Sequence, residues 1–189
     1  MRKILVILVL AGVVFSGCTD VKVNNTSQPE PGTYSLVPIP ARAGLSDEIK
    51  YSTTSTINGA AGGKMTLTKT YLGVTGRQVT LNVVMTFPAG AFSGLKTITI
   101  TADDQYAALT CTPSMVFAKT VLLDFSYKNL DIKNVYLPNN KNGFYYIADS
   151  GYLEPIASTS FLIDKNLGNL SVTAAQLKHF SRFGWTTLR

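Results

Sequence analysis

The chain has 189 residues, 46% of them hydrophobic and only 15% charged, with a formal net charge of +6. Its 17 lysines and arginines are spread singly rather than clustered with aromatics, so a basic groove for nucleic acid is not expected. One histidine and two cysteines give no Cys/His set at zinc spacing, and neither a metal nor another cofactor is expected.

The first residues carry the sharpest signal. Arg2 and Lys3 precede an unbroken apolar run from Ile4 to Phe15, followed by Ser16, Gly17 and Cys18. This is the layout of a secretory signal peptide, and the run falls short of the about 20 residues that a membrane-spanning helix needs. Phe15-Ser16-Gly17-Cys18 resembles the bacterial lipobox, with Phe15 where leucine is usual. The resemblance implies cleavage before Cys18, a lipid on its sulfur and an acylated new amine. It thus implies a partner, the membrane, reached through the anchor. The competing reading is a signal peptide that merely contains a cysteine. Thr19, not aspartate, follows Cys18, which by similarity to enteric sorting signals implies the outer membrane.

Residues 18–44 then read as a lipidated N-terminus and flexible linker. The stretch holds Asn24, Asn25, Thr26 and Ser27 together with Pro29, Pro31, Pro38 and Pro40. Such a chain stands off by roughly 25–30 Å. Tyr34 to Ile39 is the part of it that could still pair as an edge strand.

From residue 45 to 189 the pattern is that of one all-β domain, an antiparallel β-sandwich of short strands with Gly/Pro-rich turns. Val79, Leu81, Val83, Met85 and Phe87 share one face of a strand; Thr97–Ala102 and Val121–Phe125 alternate in the same way. Shorter runs follow at Phe144–Ile147, Tyr152–Ile156 and Phe161–Asp164. Pro88-Ala89-Gly90, Gly62-Gly63, Gly151 and Gly168 punctuate them as turns. Ala174 to Leu177 is compatible with a single helical turn. Cys111, in Ala108-Leu109-Thr110-Cys111, reads as a small buried hydrophobe.

Several segments, in order, resemble the ZU-five domain, the β-sandwich of netrin receptors, ankyrins and zona-occludens proteins. They are the glycine-rich entry Asn58–Leu67, the strand and turn Val83–Phe92, Ile98–Ile100, Thr112-Pro113 leading to Met115–Leu123, and Leu177–Phe183. The similarity spans about residues 57–187. It implies a sandwich, while the segment between Leu130 and Tyr152 departs from the family pattern. No signalling module follows, so the family's signalling roles do not transfer.

His179-Phe180-Ser181 is the one constellation that could carry chemistry. In some ZU-five members His-Phe-Ser cuts its own chain between Phe and Ser. By that resemblance Ser181 Oγ would attack the Phe180 carbonyl in an N-to-O acyl shift and His179 would take its proton. If the segment is a strand, residues 179 and 181 share a face while Phe180 anchors in the core, and Phe183 and Trp185 hold the final strand. The alternative is a structural role in which His179 bonds a neighbouring group.

Gly59–Gly63 lacks the lysine-serine/threonine ending of a phosphate loop. Asp103-Asp104 and Asp131 read as acidic turns; two adjacent carboxylates are few for calcium. Phe144-Tyr145-Tyr146 and Tyr152 are core if buried and a glycan-binding patch if exposed. The chain is therefore expected to be an exported, membrane-anchored, non-enzymatic binding or structural module of the cell envelope, its partner another envelope protein or a glycan. The alternatives are a self-cleaving domain and a glycan-binding surface module.

Overall fold

A computed structural model describes residues 34–40, 50–137 and 142–188. The signal peptide, the lipobox with Cys18 and the first part of the linker lie outside the described residues.

Twelve strands form among the described residues: β1 Tyr34–Leu36, β2 Tyr51–Asn58, β3 Gly63–Leu72, β4 Gln78–Phe87, β5 Leu95–Ala102, β6 Ala108–Thr112, β7 Val116–Lys128, β8 Asn142–Ile147, β9 Leu153–Pro155, β10 Ser160–Asp164, β11 Asn169–His179 and β12 Arg182–Leu188. They make two antiparallel sheets. One runs β2-β5-β6-β12-β8-β9, with β1 also on β12; the other runs β10-β11-β7-β4-β3. The protein is an all-β sandwich, as the period-two alternation requires, because each sheet has one apolar face to cover.

Side-chain alternation selects the inner faces. On β4, Val79, Leu81, Val83, Met85 and Phe87 are all buried; on β7 the same holds for Val121, Leu123, Phe125 and Tyr127. Facing them, Trp185 of β12 is fully buried and packs its ring 4.4 Å from Phe125 and 5.2 Å from Phe144. A second aromatic cluster closes one end of the sandwich, with Phe117 and Phe180 edge-on at 4.7 Å and Phe87 6.0 Å from Phe180. Rings dominate here because each buries a large apolar area and edge-on pairs add to it.

The turns follow their residues. At Pro88-Ala89-Gly90-Ala91, the Ala91 N–H donates to the Pro88 carbonyl at 3.1 Å and Gly90 has φ 82°. That is the positive φ of the third position of a type II turn, which suits glycine.

Two local expectations change. Ala174–Leu177 is not a helical turn but part of β11. The register against β7 shifts between Val172 and Ala175, and Ala174 sits at φ 50° with its N–H donating to Asp124 Oδ1 at 2.8 Å. One residue takes the left-handed conformation and the strand continues, a β-bulge rather than a helix. Residues 34–39 belong to the domain: β1 pairs with β12, Val37 is buried, and its N–H donates to the Trp185 carbonyl at 2.9 Å. The fold thus starts before the boundary at 45. Pro38 fits because it lies beyond β1, in a lone bridge to Tyr106.

Candidate functional site

His179-Phe180-Ser181 lies where the chain leaves one sheet and enters the other. β11 ends at His179, paired with Val116 of β7, and β12 begins at Arg182, paired with Ile147 of β8 and Thr110 of β6. The three residues are therefore a crossover, not one continuous strand, so strand alternation does not put His179 and Ser181 on a common face.

Each residue of the crossover has its own partners. His179 Nε2 lies 3.3 Å from Glu154 Oε2 of β9, and the imidazole stands edge-on to Tyr146 at 4.1 Å. The Phe180 N–H donates to the Met115 carbonyl at 2.7 Å, and its ring is buried in the Phe117/Phe87 cluster. The Phe180 carbonyl accepts from Ser114 Oγ at 3.2 Å, and the Ser181 carbonyl accepts from the Cys111 N–H at 2.8 Å. Among the described residues no hydrogen bond joins the His179 ring to the Ser181 hydroxyl. The structure thus brings together His179, Glu154 and Tyr146 on one side and Ser114 with the Phe180 carbonyl on the other.

Cys111 is buried, and burial pushes its thiol up to about 12 from 9.0, because the thiolate would lose its hydration. It is an inert core group at neutral pH. Asp103 is fully used as a turn residue. Its Oδ1 accepts from the N–H groups of Gln105 at 2.9 Å and Tyr106 at 3.0 Å, and its Oδ2 accepts from Arg182 Nη2 at 2.7 Å. Among the described residues no group of three or more His, Cys, Asp or Glu is placed to hold a metal ion.

No family model matches the chain, and no curated protein matches it.

The tyrosine patch proposed around residues 144–152 is divided by the pleat. Phe144 is core, Tyr145 and Tyr146 are half-buried, and Tyr152 is 40% exposed. A different tyrosine cluster is present instead. A groove of about 820 Å³ opens beside β12, lined by Tyr34, Leu36, Pro38, Tyr106, Tyr136 and Arg182 among others. Gly184 of β12 lets its wall approach: a Cβ there would stand 3.0 Å from both Leu36 Cδ2 and Ala108 Cβ. The Asp103 carboxylate shapes one side, since it fixes both the backbone of Tyr106 and the guanidinium of Arg182. Sequence reading missed this groove. Its residues come from five separate segments, and Tyr34 stands in a proline-rich run that reads as linker.

Proposed function

We propose that the protein is a lipid-anchored, non-enzymatic binding module of the bacterial envelope. Its β-sandwich would be held at the outer membrane by Cys18 and the residues after it. The observation that carries this is the sequence Arg2-Lys3, Ile4 to Phe15, Ser16-Gly17-Cys18, standing shortly before a sandwich whose first strand begins at Tyr34. Two or more acyl chains hold a protein firmly, since each buried CH₂ adds about 0.8 kcal/mol. The groove, walled in part by Tyr34 and Leu36 where the chain enters the fold, supplies the binding function. The ordered segments that resemble ZU-five domains support the same reading of the sandwich as a scaffold for partners. Radiolabelled palmitate tests the anchor. Label should enter the wild type, be absent from Cys18→Ser, and that variant should leave the membrane fraction. An unlabelled wild type, or a Cys18→Ser protein that stays equally membrane-bound, contradicts the proposal.

A second reading, self-cleavage between Phe180 and Ser181, draws on two contacts at the crossover. The Ser114 hydroxyl already donates to the carbonyl oxygen on which negative charge would develop, and Glu154 holds the His179 ring. The mass of the purified protein decides it. Two fragments that become one in Ser181→Ala support cleavage; a single intact mass in both proteins refutes it.

A further inference from the structure

We propose that the groove beside β12 is a binding site for a neutral oligosaccharide, a proposal that rests on the reading of the chain as a binding module. Its walls are of two kinds. Tyr34, Tyr106 and Tyr136 supply aromatic side chains, and Tyr136 is 81% exposed, so its ring is open to a ligand. Arg182, on the same groove, supplies N–H donors.

Arg182 has bonding capacity left over. A guanidinium carries five N–H donors, and among the described residues the one partner of Arg182's side chain is Asp103 Oδ2, at 2.7 Å. The ion pair holds the guanidinium in place while leaving donors to spare.

The occupant must therefore present an apolar face and a hydroxyl-bearing edge on the same small rigid body. A pyranose ring does this: its axial C–H face lies flat on a tyrosine, and its equatorial hydroxyls both donate and accept. Charge selects further. Asp103 neutralises Arg182, so an anionic ligand finds no net positive charge in the pair, whereas neutral hydroxyls meet oriented donors. The volume, about 820 Å³, lies within the roughly 300–1,000 Å³ of small-molecule sites and accommodates more than one sugar ring.

The test is isothermal titration of the full mature protein in detergent with chitotetraose, cellotetraose and tetragalacturonate. Binding of one neutral sugar is expected, chitotetraose pointing to an N-acetylated wall glycan and cellotetraose to a glucan. Tyr136→Ala, at an exposed position, should weaken it about tenfold or more, the loss of one aromatic anchor. Leu162→Ala, on the outer face of the other sheet, should leave it unchanged. No binding at millimolar sugar, binding of tetragalacturonate alone, or binding indifferent to Tyr136→Ala overturns the proposal. Failure of the anchor would show separately, as sugar binding by a protein that takes up no palmitate.

Discussion

Replacing Phe180 by alanine separates a structural crossover from a catalytic one. The ring is 1% exposed and lies edge-on to Phe117 at 4.7 Å and to Phe87 at 6.0 Å. Its removal loses the transfer free energy of a phenyl group and leaves a cavity between rings anchored on β4 and β7. Those strands pair with each other over seven residue positions and cannot readily collapse inward. A buried Phe→Ala change costs about 3–5 kcal/mol, and the rigid walls place this one toward the upper end. In a domain of this size that lowers the melting temperature by roughly 6–20 °C. Ser181→Ala deletes a hydroxyl with no hydrogen bond among the described residues and should cost about 0.5 kcal/mol or less. Urea denaturation of the wild type and both variants, monitored by Trp185 fluorescence, gives the comparison. A Phe180→Ala loss below about 1 kcal/mol would refute the placement of this ring as the bolt between the two sheets.

Three further outcomes follow from the described contacts. Ala174→Gly should stabilise the protein by as much as about 1 kcal/mol, since φ 50° is strained for alanine and free for glycine; thermal melts would show it, and a loss would contradict the bulge. Cys111 should resist thiol reagents in the native protein at neutral pH and react on unfolding. Its folded value, about 12, lies above the unfolded 9.0, so the stability it contributes is fully present below pH 9 and is lost as pH rises from 9 toward 12. Relative to Cys111→Ala, wild-type stability should fall over that window by up to about 1.4 kcal/mol per pH unit; parallel pH profiles would contradict the burial. Asp103→Ala should cost about 1–3 kcal/mol in denaturant melts, because three donors lose one carboxylate, and a change near zero would contradict the account of the groove's wall.

The fold class was legible because alternation is a local property. Val79 to Phe87 and Val121 to Phe125 each announce an inner face without reference to any other segment. What sequence could not show is which sheet a strand joins. His179-Phe180-Ser181 looks like one strand in a short window, yet His179 pairs with Val116 and Arg182 with Thr110 and Ile147, and only those long-range pairings make it a crossover. Ala174–Leu177 has helix-forming residues, but pairing with Leu123 overrides propensity. Tyr34–Leu36 was legible only as a possible edge strand, because the prolines around it, Pro29, Pro31, Pro38 and Pro40, give the stretch the composition of a linker. The groove was invisible for a stronger reason: Tyr34, Tyr106, Tyr136 and Arg182 share no window, and only the fold brings them together.

Mass spectrometry of the N-terminal peptide from protein purified out of the cell membrane bears most directly on the proposed anchoring. The account predicts a peptide that begins at Cys18 and carries a diacylglyceryl group on sulfur and an acyl group on the new amine. A mature chain that begins elsewhere, or that begins at an unmodified Cys18, would contradict it.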